Sequence, residues 1–216
     1  MGVYKGALLQ KFYQDCLTER LYCNIVIQVD NIEFHGHRFL LGTASSYFSR
    51  MFRSKFADSK SLKVIVQGPV AQKIYPETMQ KVFNFIYTEH IFLTNENIDS
   101  VLHAAEFLDV EQLKHVCVNY LTESLSLGTW MSTFNMAKSV NIKTLISACI
   151  NAFPRFCVKA EFSTDVLNLP PGDIKDILQY HHDNRNYYQV HAAITSWMAT
   201  DRQEQLQIHP DLFGDI

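Results

Sequence analysis

The sequence has no excess of charge of either sign: 19 lysines and arginines stand against 22 acidic residues, a formal net charge of −3. Nucleic-acid binding rests on neutralising many phosphates, and this balance supplies no surplus for it. No block of like charge reads as an interaction tail. Long apolar runs are missing too. The longest, Leu21–Val29 and Val82–Tyr87, fall far short of the ~20 residues a membrane helix needs. The opening stretch lacks the apolar core of a signal peptide. Gly6 also stands where a myristoylation signal wants Ser or Thr. Neither nucleic acid nor membrane is an expected partner.

Paired cysteines and catalytic signatures are absent in turn. Cys16, Cys23, Cys117, Cys149 and Cys157 are odd in number, widely spaced and set in apolar stretches. That pattern fits unpaired, buried thiols in a reducing compartment, the cytoplasm or the nucleus. There is no G-x-S-x-G, no C-G-x-C-W and no H-E-x-x-H, and the eight glycines are scattered singly, so no phosphate cradle forms. Glu33, His35 and His37 would share a strand face, but a closed zinc site needs four ligands at suitable spacing. His181-His182-Asp183 reads as a solvated loop. Cys117 and His115 lie two apart on a helix and face different ways. The expectation is no enzyme, no metal and no cofactor.

What the chain does contain is core: 47% of its 216 residues are apolar and 12% aromatic, which excludes a disordered tail. Leu8, Leu9, Phe12, Tyr13 and Cys16 fall at helical spacing, predicting an amphipathic helix over 3–19. A strand over 21–29, a turn at Asp30-Asn31 and a strand over 32–35 read as a hairpin. Helical periodicity runs over 37–52, as one helix or as two with Ser45-Ser46 capping the second. A third strand covers 62–66, a helix 76–87, a short strand 91–93, and helices 97–108 and 111–125, with Thr94-Asn95 as the cap of the former. After Gly128 the strand signal vanishes, and residues 129–139, 141–158, 173–180 and 188–200 read as helices. A mixed unit over 1–125 is therefore followed by an all-helical unit over 126–216.

Partner surfaces are the better functional candidates. Residues 52–60 are polar except for Phe52, Phe56 and Ala57, and an aromatic displayed there could anchor a partner or fold back on its own core. The N-terminal helix could pack on its own domain or on a second copy.

The residues that settle the reading are Asn24-Ile25-Val26-Ile27, Glu33-Phe34-His35-Gly36-His37-Arg38-Phe39-Leu40-Leu41, Ser45-Ser46-Tyr47-Phe48-Ser49-Arg50-Met51-Phe52, Val82–Thr88 and Ala104–Leu113. Together they resemble the BTB (POZ) domain over roughly residues 5–125. The helical remainder looks like the BACK domain that follows BTB in kelch-like proteins, through Ala152-Phe153, Phe162, Leu167-Asn168-Leu169, Val190, Ala193, Trp197 and Asp201. It departs from that pattern in Gln189 and Tyr187-Tyr188. The fold class implied is α+β, a small sheet flanked by helices, then an all-α BACK-type domain.

The resemblance implies a substrate-specific adaptor of a cullin-3 RING ubiquitin ligase. Such an adaptor is a homodimer that binds the cullin-3 N-terminal domain and a ubiquitination substrate the sequence does not name. No kelch repeat precedes Ile216, so either the sequence is cut short before a kelch or other substrate-reading domain or the substrate reader lies elsewhere. The family's hydrophobic–x–Glu triplet is Phe56-Ala57-Asp58 here, with the carboxylate one methylene shorter, which implies weakened cullin-3 binding. Phe52, Tyr87, Leu108 and Asp109 stand where the family completes that surface, and Leu8, Leu9, Phe12, Tyr13 and Ile25 where it dimerises. Asn24 replaces an aspartate that many members set against a basic residue like Arg38, so Arg38 is expected to be partly solvated or held by another acceptor such as Glu33. The alternative is a non-catalytic BTB homodimer used as a cytoskeletal or transcriptional scaffold without cullin-3.

Overall fold

The computed structural model describes residues 11–12, 15–16, 18–53, 62–66, 74–156, 169–182, 188, 190–192 and 194. The chain divides into two compact units, Met1–Tyr120 and Leu121–Ile216. Among the described residues no helix is long and apolar enough to cross a membrane.

The first unit is built on strands β1 (Ile25–Val29), β2 (Ile32–Gly36) and β3 (Lys63–Val66), in sheet order β2-β1-β3. The β1–β2 hairpin is antiparallel with Ile27 opposite Phe34, and β3 runs parallel to β1 with Val64 opposite Ile27. Alternation along β1 turns Ile25, Ile27 and Val29 to one face, where they are buried. Against the sheet lie Leu41 of α1 (Arg38–Ala44) and Phe83 of α3 (Pro76–Thr88), α1 packs in turn on α2 (Ser46–Arg53) and on α3, and Leu41, Phe48, Met79, Val82 and Phe83 are buried. Gly36 permits the approach: a Cβ there would stand 3.1 Å from Leu41 and 3.2 Å from Phe83. Helices α4 (Ile98–Phe107) and α5 (Glu111–Glu123) follow.

The strand expected at 21–29 begins only at Ile25. Residues 20–23 instead turn, with Arg20 and Tyr22 at positive φ, and the Leu21 carbonyl accepts from the His37 side chain rather than from a ladder. The strand expected at 91–93 is absent, because Asn97 occupies the backbone groups a neighbour would need. Its Nδ2 donates to the Phe92 carbonyl at 3.1 Å and its Oδ1 accepts from Thr94 N–H at 3.1 Å. The same two bonds correct the cap expected at Thr94-Asn95, since α4 starts after Asn97 with no side-chain cap.

Region 37–52 is two helices, divided at Ser45. The Ser45 backbone is extended (φ −130°, ψ 119°), and its Oγ accepts from the Phe48 N–H at 3.1 Å, the geometry of an N-cap. The same hydroxyl donates to the Leu108 carbonyl at 2.5 Å, and Ser46 N–H donates to the Asp109 carbonyl at 3.2 Å. The start of α2 is thereby fastened to the α4–α5 turn.

The second unit is helical among its described residues: α6 (Trp130–Ser139), α7 (Lys143–Phe156) and α8 (Pro171–His182), with helical positions at 188, 190–192 and 194. Trp130 is fully buried, stacks on Phe134 and meets Phe153 edge-on, and its Nε1–H donates to the Cys149 carbonyl at 2.8 Å. Lys138 of α6 pairs with the buried Asp173 of α8. Helix α8 starts at Pro171 rather than 173, proline being favoured in a first turn.

His181 is correspondingly not in a solvated loop but buried at the end of α8. The reason lies in α7. Pro154 has no N–H to offer the carbonyl four residues earlier, Ile150, and His181 Nε2 supplies that donor at 2.9 Å. His181 Nδ1 has no hydrogen-bond partner.

Two measurements check these joints. Ser45→Ala removes a cap and leaves a buried carbonyl unpaired, so denaturant unfolding is expected to show a loss of about 2 kcal/mol. His181→Leu is expected to cost about 1–3 kcal/mol, and less in a Pro154→Ala background, where the restored N–H can serve Ile150.

Candidate functional site

Helix α2 carries the first candidate surface. Its inner side is anchored by Phe48, leaving Tyr47, Arg50, Met51 and Phe52 half-buried or exposed. Phe52 stacks on Phe48 with centroids 5.8 Å apart, and the Arg38 guanidinium lies 4.9 Å from its ring centre. That contact bears on the question set by Asn24. Glu33 is not the acceptor near Arg38, because it pairs with Lys63 at 2.7 Å across the sheet. That bond holds the Glu33 carboxyl below the usual range. Asn24 Oδ1 instead accepts from the Arg38 backbone N–H at 2.9 Å, capping α1 from a distance, while the guanidinium rests on an aromatic face.

The α4–α5 turn adjoins α2. Tyr47 meets Phe107 with ring centroids 5.1 Å apart, and burial raises the Tyr47 hydroxyl above its ordinary range. Asp109 takes a left-handed backbone (φ 52°), a conformation aspartate tolerates, and presents its carboxylate 3.9 Å from Arg50 and 3.2 Å from Lys114. Lys114 also reaches Glu111 and Glu106. Partial burial works against its charge, but the bonds to Glu111 and Asp109 outweigh it and raise the ammonium well above its ordinary range.

The expected cullin-facing residues therefore separate. Phe52 and Asp109 are half-exposed and lie on one side of the unit, on elements joined by Arg50–Asp109. Tyr87 and Leu108, at 2% and 0% exposure, belong to the core and cannot themselves touch a partner. Each acts from beneath, Leu108 through its carbonyl on Ser45 and Tyr87 through its hydroxyl on His37. Phe56 and Asp58 lie outside the described residues.

A second surface lies at the other candidate site. Phe12, Tyr22 and Phe39 are 50%, 80% and 78% exposed, and with Cys16, His37 and Leu40 they line a concavity of about 190 Å³ that is almost wholly apolar. Phe12, expected at a self-association face, lines this concavity. Ile25 does not: β1 turns it inward to 2% exposure. Leu8, Leu9 and Tyr13 lie outside the described residues.

Tyr22, Phe39 and Leu40 escaped the pattern reading. Phe39-Leu40-Leu41 held the signal, since three successive apolar residues span about 200° of a helix and one must face outward. Here Leu41 is buried and Phe39 faces out.

Beneath the concavity sits a relay. His37 Nε2 bonds to the Leu21 carbonyl at 2.7 Å, Nδ1 to the Tyr87 hydroxyl at 2.8 Å, and His37 N–H donates to the same hydroxyl at 2.9 Å. Burial raises the Tyr87 phenol far above its ordinary range, against the pull of the His37 bond. Both ring nitrogens of His37 are thus engaged, and among the described residues no three His, Cys, Asp or Glu are placed to hold a metal ion.

The described thiols are free. Cys117 and Cys149 are buried, and desolvation pushes each up to about 12, a value that suppresses the reactive thiolate. His115, beside Cys117 in sequence, is exposed and pairs with Glu111 instead. Cys23 is half-buried and also raised, chiefly by burial. Under native conditions at pH 7.5, iodoacetamide is expected to label Cys23 before Cys117 and Cys149. Equal labelling of all three, read by peptide mass spectrometry, would contradict the burial described.

Comparison with known proteins places this geometry. The model of the family described as "BTB/POZ domain" matches residues 13–125. Over nearly its whole length the chain is similar to Kelch-like protein 40b of Danio rerio, at 26% identity over 99% of this chain and 34% of that protein. It is likewise similar to Kelch-like protein 40 of Xenopus laevis, at 24% over 100% and 34%, and to Kelch-like protein 6 of Homo sapiens, at 25% over 97% and 33%. The chain spans about a third of the length of these curated relatives.

Proposed function

The chain belongs to the BTB/POZ domain family, and from that premise we propose that it is a non-catalytic adaptor of a cullin-3 ubiquitin ligase. It pairs with a second copy through its BTB domain and engages the cullin-3 N-terminal domain through one face of that domain. The helical unit after residue 120 is a BACK-type domain that extends this role, and the substrate is chosen by a module outside the chain. Its compartment is the cytoplasm.

The observation that carries the cullin-facing half is the joint at Ser45. It brings the α2 end with Phe52 and the Asp109 turn to one side, bridged by Arg50 at 3.9 Å. An aromatic fixed by stacking and a carboxylate fixed by cations cost little further ordering on association. The self-pairing half rests on the apolar concavity. Three large aromatics at half exposure or more, grouped around one depression, form the kind of patch that marks an interface. A two-fold pair would place the same patch on both sides.

The test is direct binding of the chain to the cullin-3 N-terminal domain by calorimetry, with Phe56→Ala and Phe52→Ala alongside. Association at tens of micromolar or tighter, weakened about tenfold or more by each substitution, is expected. No association at that concentration would leave the alternative, a BTB homodimer scaffold. Light scattering at micromolar concentration is expected to give a dimer mass that Phe39→Asp reduces to the monomer.

A further inference from the structure

His37 sits at the floor of the apolar concavity and is held on three sides. A carbonyl can only accept, so the 2.7 Å bond to Leu21 requires that Nε2 carry a proton. In the neutral ring Nδ1 is then a lone pair, and the 2.8 Å contact with Tyr87 is a bond donated by the phenol. The Tyr87 oxygen meanwhile accepts from the His37 backbone N–H. Every donor in the neutral relay has an acceptor.

A second proton breaks this balance. Protonated Nδ1 becomes a donor aimed at the Tyr87 oxygen, and the phenolic O–H must turn away into surroundings where the side chain is only 2% exposed. Among the described residues that line the depression, none carries a carboxylate to balance the charge. Among the described residues before residue 19, the groups facing the relay are Phe12 and Cys16. From the 20–23 turn they are Leu21, Tyr22 and Cys23, from α1 Phe39 and Leu40, and from α3 Tyr87. Asp15, Lys11 and Arg20 lie on those elements but do not line the depression, and neither does the neighbouring guanidinium of Arg38.

We propose that His37 makes self-association of this chain pH-dependent: the pair forms with His37 neutral and loosens when the imidazole takes a proton. The inference rests on the self-pairing reading above. A second copy seated on Phe12, Tyr22 and Phe39 would seal the floor of the depression from water. An imidazolium there would lose its hydration, and no carboxylate among the described lining residues would replace it. The neutral form loses nothing comparable. Histidine is the side chain suited to act as a switch near neutral pH, and His37 is the one in this relay. The sign follows by linkage: the associated state binds fewer protons, so association is full at the alkaline end and is lost as pH falls. With one His37 per copy, two protons are excluded from each pair. The dissociation constant can therefore rise by up to about a hundredfold per pH unit on the acid side.

The experiment is sedimentation velocity on the fluorophore-labelled chain at pH 7.5 and 5.5, from nanomolar to micromolar concentration, with circular dichroism confirming that the fold persists. Wild type is expected to dissociate at least tenfold more readily at pH 5.5. His37→Gln keeps an amide donor for Leu21 but cannot take the proton, and its dissociation constant is expected to be the same at both pH values. Tyr87→Phe removes the O–H that protonation would orphan, so its loss of association is expected to begin at higher pH than in wild type. A wild-type dimer with equal strength at both pH values overturns the proposal, as does His37→Gln losing association like wild type. A chain that is monomeric already at pH 7.5 overturns the self-pairing reading and this inference with it.

Discussion

One hydroxyl holds one side of the first unit together. Ser45 accepts from the Phe48 N–H and donates to the Leu108 carbonyl, so a single buried oxygen both starts α2 and fixes the α4–α5 turn against it. Phe48, Phe52 and Arg38 then stack outward from the helix so anchored, and Asp109 follows from the turn. A buried polar group is costly unless satisfied. Here both capacities of the hydroxyl are used, which makes the joint specific as well as stable. The surface that presents Phe52 beside Asp109 inherits its geometry from that bond rather than from any contact at the surface itself.

The second unit uses the same logic in another chemistry. A proline within α7 deletes one backbone donor, and an imidazole from α8 supplies the replacement. Trp130 caps the adjoining carbonyl from α6. Three helices are thus tied at the carbonyls of Cys149 and Ile150. Packing around Trp130, Phe134 and Phe153 fills the space between them.

Core and interface divide more sharply in three dimensions than along the chain. Tyr87, Leu108 and Ile25 have the residue types and chain positions of contact residues, yet each is buried, and two of them serve the surface by holding another residue in place. Phe39 and Tyr22 are the reverse: aromatic residues of the sort that fill cores, left facing outward. Hydrophobicity alone does not distinguish the two cases. A helix or strand presents a residue to one side or another only after its neighbours have occupied the remaining sides.

The elements whose cause is local were legible in the chain. Density of β-branched residues marked β1, period-two alternation β2, Pro76 the start of α3 and one apolar face α4, and Ser45 announced the α1–α2 break, because backbone geometry and nearby donors act within a few residues. The resemblance to BTB was carried by those same stretches, and the family match over residues 13–125 agrees with it. What the chain could not disclose were partnerships across distance. These are Asn24 capping α1, Asn97 displacing a strand, His181 answering Pro154, and Lys63 rather than Arg38 claiming Glu33. Each depends on which side chain arrives first at an unsatisfied backbone or charged group. Only the folded arrangement brings the competitors within reach of one another.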